Sequence, residues 1–180
     1  MMRSDLNLDE ARAALRFCNS FTRLPTLIDL TLSTGAHDWL SLLGEEWSGC
    51  DNITEHLDDL IDVTPFGWLA DSPSDWRGFM MTDQESEAFH ALPDEVAIYR
   101  GCYASNEAGA SWSLSRAVAE RFPSLHRYRQ EGQPLLINGQ ANKTEILALK
   151  LDREEAEVIV LQPKIFATSA IRISLGNPAR

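Results

Sequence analysis

The sequence predicts an α+β fold in which a helical region comes first and a mostly antiparallel, β-rich region follows. Apolar residues recur at helical spacing through the first half of the chain, which predicts amphipathic helices. Beyond Pro93 the pattern changes to short β-branched or alternating segments separated by turn residues. The chain has 180 residues and 44% hydrophobic content, which is enough for a buried core, so a folded domain is expected.

Two capping-box patterns mark helix starts in the first half. Asn7 is followed three residues later by Glu10, which predicts the start of the first helix, and Thr82 with Glu85 predicts a short helix over 83–91. Other helices are predicted around residues 25–33, 37–47 and 52–62. Residues 64–82 are rich in Pro, Gly, Ser and Trp and therefore predict an ordered but irregular connection.

Tryptophans are concentrated in this helical half, which contains Trp39, Trp47, Trp68 and Trp76. Such large apolar rings are expected to fill the seam between the helices and the rest of the protein. Binding of a partner protein is the alternative. We predict a helical region over 1–82 packed on a core over 83–180, the two forming one compact unit.

The second half is predicted to contain six strands and one helix. The strands are Val96–Arg100, Ala110–Ser113, Leu135–Ile137, Glu145–Leu151, Ala156–Leu161 and Ile171–Ser174. The helix is predicted over 115–122, with Ser115 as its N-cap. A run of helices followed by a run of strands is typical of the α+β class.

The formal charge of −11 is unevenly distributed. Residues 1–94 contain 18 acids and 5 bases, whereas residues 95–180 contain 9 acids and 11 bases. The acidic half is expected to repel a nucleic acid backbone, while the nearly neutral half can hold a basic site for a small anionic ligand.

Targeting and metal-binding signals are not evident in the sequence. No charged leader precedes an apolar stretch, and no run of about 18 apolar residues occurs, so we expect a cytoplasmic protein without a membrane partner. The three cysteines are widely spaced, which favours reduced thiols over disulfides or a zinc site.

Glu155 and Glu157 form a Glu-x-Glu motif in a predicted strand. The period of two places both carboxylates on one face. Two rises of about 3.3 Å put their Cβ atoms roughly 6–7 Å apart, which suits two separate tasks around one reacting centre. The alternative is a solvated strand edge, where charges prevent edge pairing.

Two further short motifs have comparable chemistry. Ser111 and Ser113 place two hydroxyls on one strand face, although capping and packing are the alternative role for such residues. Arg100 ends a strand at Gly101, a residue that permits close approach of another backbone. A guanidinium suits a pyrophosphate because it can donate two parallel hydrogen bonds, and a surface salt bridge is the alternative.

These motifs occur as Arg-Gly at 100–101, Ser-x-Ser at 111–113 followed by LSRAVAERF, and Glu-x-Glu at 155–157 followed by Val-Ile-Val. In this order and spacing the chain resembles the mono-ADP-ribosyltransferase family, arginine–serine–glutamate class, over about residues 83–175. The resemblance implies a pair of packed, mostly antiparallel β-sheets around an NAD cleft, preceded by the helical region. It also implies NAD as the co-substrate and no metal.

The resemblance assigns ligand-binding roles to the first two motifs. Arg100 would bind an NAD phosphate, and the backbone of Gly101 would help hold the nicotinamide amide. Ser111 would orient the catalytic glutamate, and Ser113 would support the strand geometry or the ribose.

Catalytic roles fall on the two glutamates. Glu157 matches the invariant glutamate that grips the nicotinamide ribose 2′-hydroxyl and stabilises an oxocarbenium-like species as nicotinamide leaves. Glu155 matches the position that engages the incoming nucleophile in arginine-modifying members. A guanidinium is a poor nucleophile until a carboxylate orients it and takes its proton.

The segment 121–134 falls where the family's loop folds over bound NAD. It contains a basic and aromatic set: Arg121, Phe122, His126, Arg127, Tyr128 and Arg129. We expect Phe122 and Arg127 to contact the NAD. The alternative is a solvated basic face with Phe122 in the core.

The resemblance therefore predicts transfer of ADP-ribose from NAD to a target protein, with arginine as the acceptor and nicotinamide as the product. Water or a nucleic acid as the acceptor is the alternative within the same fold. A non-catalytic protein-binding module is the alternative from another class. Family members of this size act as bacterial or phage effectors, so delivery into a bacterial host and a cognate inhibitor or antitoxin are further expectations.

Overall fold

The computed structural model describes residues 6–152 and 156–171. The α-helices in these ranges are α1 (Leu8–Leu15), α2 (Arg23–Asp29), α3 (Ala36–Glu46), α4 (Leu57–Val63), α5 (Pro65–Asp71), α6 (Pro73–Trp76), α7 (Asp83–His90) and α8 (Arg116–Arg121). The strands are β1 (Glu95–Cys102), β2 (Ser111–Ser113), β3 (Leu135–Asn142), β4 (Ala148–Lys150), β5 (Glu157–Ile159) and β6 (Lys164–Ala170). The protein is therefore α+β, with helices first and strands after, as predicted. Within the described ranges no helix has the length and apolar character needed to cross a membrane.

Local sequence signals explain where several helices begin. In α1 the Asn7 side chain accepts a hydrogen bond from the Glu10 amide at 3.0 Å, and the Glu10 carboxylate accepts one from the Asn7 amide at 3.0 Å. Thr82 and Glu85 make the same reciprocal bonds at the start of α7. Ser115 accepts a hydrogen bond from the Val118 amide and caps α8. These predicted caps are confirmed, because each satisfies amide groups that the first helical turn leaves unpaired.

The prediction of an irregular connection over 64–82 was wrong. This segment contains α5, α6 and a 3-10 turn over Arg77–Met80. Pro65 and Pro73 lie in the first turns of α5 and α6, where a missing amide hydrogen costs nothing. Thr64 also caps α5 by accepting a hydrogen bond from Phe66. The prolines therefore start helices rather than interrupt them.

Three predicted strands also differ from the structure. β3 continues to Asn142 rather than ending at residue 137. β4 begins at Ala148 rather than at residue 145, because Lys143–Glu145 form a 3-10 turn. β6 was not predicted. The strand expected over 171–174 has Ile171 outside any strand, and residues 172–174 lie outside the described residues.

The strands form one antiparallel sheet in the order β4-β5-β2-β1-β3-β6. β1 pairs with β3 along its whole length, from Glu95 opposite Asn142 to Cys102 opposite Leu135. In contrast, β1 joins β2 through the single pair Tyr99 and Ser113. The resemblance implied two packed sheets. The described strands instead form one sheet, because β2 pairs with β1 on one side and β5 on the other.

The two faces of this sheet pack in different hydrophobic clusters. On one face, Ala148 of β4 and Ile159 of β5 are buried in the same cluster as the helical region. On the other face, Leu149 of β4 and Val158 of β5 join a second cluster, which includes Trp112 of β2. Alternation along each short strand sends neighbouring residues to opposite faces. The helical region therefore covers the β4 and β5 part of the sheet and shares a core with it.

Candidate functional site

A cleft lies beside the weakly joined β1 and β2, between the sheet, the segment after α8 and the helical region. It encloses a cavity of about 160 Å³ and opens to solvent. The sheet residues that line it include Tyr99, Arg100, Gly101, Ser111, Ser113 and Glu157. The helical region contributes Trp47, Ser48, Cys50, Asp51, Ile53 and Thr54. All three sequence motifs therefore reach one cleft.

Arg100 is held at this site by backbone carbonyl groups. Its Nη1 donates to the carbonyl oxygen of Ser111 at 2.7 Å, and its Nη2 donates to that of Asn106 at 2.8 Å. A Cβ at Gly109 would lie 2.0 Å from Nη2, so the guanidinium needs a glycine at that position. Burial lowers the pKa of Arg100, while the negative charge of Glu157 acts in the opposite direction. An arginine nevertheless stays protonated at neutral pH.

Gly101 allows α8 to approach the end of β1 closely. A Cβ at this position would lie 1.8 Å from the carbonyl oxygen of Ala119 and 2.9 Å from Cδ of Pro123. Any side chain would therefore push α8 and the following turn away from the sheet. The close packing fixes the segment that contributes Phe122 to the cleft.

The two serines have different surroundings. Ser113 pairs with Tyr99 on β1 and with Glu157 on β5, and its hydroxyl oxygen accepts a hydrogen bond from the Ser115 amide at 3.0 Å. Ser111, two residues before Ser113 on β2, pairs with Ile159. Ser113, rather than Ser111, is therefore the direct cross-strand neighbour of the glutamate. The predicted role of Ser111 in orienting Glu157 stays a prediction.

Glu157 is the first residue of β5 and is partly buried at the cleft. One of its carboxylate oxygens, Oε1, accepts a hydrogen bond from the indole Nε1 of Trp47 at 2.8 Å. Glu155, the other predicted acid, lies outside the described residues. The geometry of the Glu-x-Glu motif is therefore seen only through Glu157.

The segment after α8 places aromatic rings at the cleft. The ring centroids of Phe122 and Tyr128 are 5.0 Å apart, and both residues line the cleft. Arg127 is exposed and pairs with Asp51 of the helical region, and its guanidinium carbon lies 4.7 Å from the Tyr128 ring centroid. Among the described residues, Arg127 is not part of the cleft lining. Its predicted contact with NAD stays a prediction, while Phe122 is placed where a ligand can reach it.

Sequence patterns alone missed the contribution of the helical region. Trp47 was assigned to the seam between the regions, and the structure does place it there, at 1% exposure, whereas the same assignment was wrong for Trp68, which is 52% exposed. Nothing in the spacing of Trp47 or Asp51 indicated a contact with the motifs. The site that results combines a fixed cation, a carboxylate, two hydroxyl side chains and aromatic rings. Such a set can bind an anionic ligand and stabilise positive charge that develops next to a carboxylate.

Comparison of the chain with protein-family models, curated proteins and solved structures gives no match.

Proposed function

We propose that the chain is an NAD-dependent mono-ADP-ribosyltransferase that transfers ADP-ribose to an arginine of a target protein and releases nicotinamide. The observation that supports this most is the convergence of Arg100, Ser111, Ser113 and Glu157 on one cleft. These residues come from three strands and were singled out from the sequence, by motifs whose order and spacing resemble this family. We further propose that the two parts of the sheet that meet at Tyr99 and Ser113 enclose the NAD cleft.

The residues of the cleft suit the chemical groups of NAD. The guanidinium of Arg100 has five N–H donors, of which the two backbone carbonyls take two, so donors remain for a phosphate. Phe122 and Tyr128 offer ring faces to the nicotinamide or adenine. The site thus has a cation for the pyrophosphate and apolar surface for a flat ring.

The carboxylate of Glu157 would act on the nicotinamide ribose. In the proposed reaction the bond between ribose C1′ and the nicotinamide nitrogen breaks, and its electron pair leaves with nicotinamide. Glu157 holds the 2′-hydroxyl and stabilises the positive charge on the ribose. A guanidinium nitrogen of the acceptor then bonds to C1′ and loses a proton to Glu155. The choice of arginine as the acceptor depends on Glu155 and hence on the sequence alone.

The first experiment measures nicotinamide release from NAD by the wild-type protein and by two matched variants. Glu157→Gln removes the negative charge in the cleft, whereas Glu95→Gln makes the same change at an exposed position on β1. We expect Glu157→Gln to lower the rate by about 100-fold or more, which is the scale of a lost electrostatic contact in a transition state. Glu95→Gln is expected to retain the wild-type rate. Equal rates for both variants would contradict the proposal.

A second measurement identifies the acceptor. The protein is incubated with labelled NAD and total cell lysate, and the label is followed after protease or nuclease treatment. Label that protease removes and that maps to arginine supports the proposed acceptor. Label removed by nuclease points to a nucleic acid, and NAD cleavage without labelling points to water. A protein that neither cleaves NAD nor shows a thermal shift at millimolar NAD would be a non-catalytic binding module.

A further inference from the structure

The hydrogen bond between Trp47 and Glu157 joins residues that are 110 positions apart in the sequence. Trp47 belongs to a 3-10 turn, Trp47–Gly49, that directly follows α3. Its indole is almost fully buried, and its ring is stacked on Phe66 with 5.8 Å between ring centroids. The indole N–H can only donate a hydrogen bond, and an ionised carboxylate can only accept one. The donor is therefore held in place and directed at one oxygen of Glu157.

Arg23 fixes the backbone on both sides of this tryptophan. It forms an ion pair with Glu46 at 2.9 Å, and its Nη1 donates to the carbonyl oxygen of Gly49 at 3.2 Å. The segment 46–49 is thereby tied to α2 within the helical region. The position of the indole is therefore supported by contacts within the helical region.

Neighbours of Trp47 also reach the β-rich region on both sides of the cleft. Ser48 donates from Oγ to Asp152 at 2.9 Å, and Asp51 pairs with Arg127. Residues 47–51 therefore form one wall of the cleft, which we name the 47–51 wall. Its three contacts place this short segment against β5, against Asp152, which lies two residues after the end of β4, and against the segment after α8.

We propose that Trp47 is a positioning residue for Glu157, so that the helical region completes the active site. This inference rests on the proposed function, because the role of Glu157 comes from there. The terminal torsion of a glutamate side chain is broad, so the carboxylate needs a partner to fix its plane. The hydrogen bond to Oε1 supplies such a partner. The role predicted for Ser111 is thus shared with, or taken over by, a residue from outside the motifs.

The test compares Trp47→Phe with Trp39→Phe. Both tryptophans are fully buried, and each donates one hydrogen bond, Trp47 to the Glu157 carboxylate and Trp39 to the Leu27 carbonyl at 2.7 Å. The two substitutions therefore remove the same atoms from similar surroundings. We expect Trp47→Phe to lower kcat for nicotinamide release by roughly 10- to 100-fold, the scale seen when a hydrogen bond that orients a reactive group is lost. The KM for NAD should change by less than about 2-fold, because ground-state binding is unaffected.

Trp39→Phe is expected to keep kcat within about 2-fold of wild type, even if it lowers the thermal stability as much as Trp47→Phe does. Trp47→Phe made in the Glu157→Gln background should cause no further loss, because the indole acts only through the carboxylate. A similar kcat for Trp47→Phe and Trp39→Phe, or additive losses in the double variant, would overturn the inference.

A spectroscopic measurement tests the contact without catalysis. The indole ¹H–¹⁵N resonance of Trp47 should move in Glu157→Gln, while that of Trp39 stays in place. An unmoved Trp47 resonance overturns the inference even if Trp47→Phe fails to fold. Failure of the wild-type protein to cleave NAD would instead overturn the proposed function and the positioning role with it, so the two failures are distinguishable.

Discussion

The helical region and the β-rich region contribute to the cleft in opposite ways. The β-rich region carries all the motifs, on β1, β2 and β5, and its residues 95–180 hold 9 acids and 11 bases. The helical region carries no motif, and residues 1–94 hold 18 acids and 5 bases. Even so, it supplies the 47–51 wall and the hydrogen bond to Glu157. A region without recognisable motifs can therefore be part of a site, because its contribution depends on packing rather than on local pattern.

The regions also differ in how they are held together. The helical region packs mainly through apolar side chains, and the cluster it forms includes Ala148 and Ile159 of the sheet. At the border, however, Lys150 of β4 is buried and donates from Nζ to the Glu85 carboxylate at 2.8 Å and to the Met80 carbonyl at 3.1 Å. One cation thus connects the sheet to the end of the helical region and to α7. Three substitutions test how much this ion pair, the packing of α8 on β1 and the ion pair of Asp51 with Arg127 contribute to stability.

The largest effect is expected at this buried ion pair. Lys150→Met leaves the Glu85 carboxylate buried without its partner, which should lower the free energy of unfolding by about 3–5 kcal/mol. Replacement of both residues, Lys150→Met with Glu85→Leu, should recover part of this loss, because no charge remains buried but the amides of Thr82 and Leu151 lose their acceptor. Urea unfolding monitored by circular dichroism measures both changes. If Lys150→Met were as stable as wild type, the ion pair would not contribute to holding the two regions together.

The same pair predicts a pH dependence. Burial raises the pKa of Glu85, but hydrogen bonds from Lys150, Thr82 and Leu151 and the charge of Lys150 outweigh it, so the pKa is lowered. Since the folded state has the lower pKa, the stabilisation is complete above about pH 4.5 and is lost as the pH falls through the folded pKa. In Lys150→Met this loss of stability towards acid should diminish or reverse, as urea midpoints between about pH 3 and pH 6 would show.

An intermediate effect is expected where α8 packs on β1. Gly101→Ala places a Cβ 1.8 Å from the Ala119 carbonyl oxygen, so α8 must move, at a cost of about 1–3 kcal/mol. Gly78→Ala is the matched control in the helical region, because a Cβ there has no heavy atom within 4 Å. The control should change stability by no more than about 0.5 kcal/mol. Thermal unfolding of both variants checks the prediction, and equal midpoints would contradict it.

The smallest effect is expected at the ion pair between Asp51 and Arg127. Arg127 is partly exposed, so Asp51→Asn should change the free energy of unfolding by less than about 1 kcal/mol. If NAD is the substrate, Asp51→Asn releases Arg127, and the KM for NAD should fall by about 2- to 5-fold at low salt. The upper figure corresponds to about 1 kcal/mol. The gain should disappear at high ionic strength, where exposed charges are screened. An unchanged KM at both salt concentrations would mean that the 47–51 wall does not compete for this cation.

Features that depend on neighbouring residues were predictable from the sequence. The capping boxes at Asn7 and Thr82 were confirmed because each is formed within one helical turn. The shared strand face of Ser111 and Ser113 was confirmed because alternation is a property of the strand itself, and Trp112 between them is buried on the other face. In contrast, β6 was missed because its residues are exposed throughout and show no alternation of apolar and polar side chains.

The sequence by itself determined the α+β order of elements, the main helix starts and the three motifs that reach the cleft. These follow from periodicity, from capping and from side-chain chemistry, all of which act over a few residues. The tertiary structure alone decided that the described strands form one sheet, that Ser113 rather than Ser111 pairs with Glu157, and that Trp47 donates to that glutamate. Each of these depends on strand register or on the packing of distant segments, which local sequence does not encode.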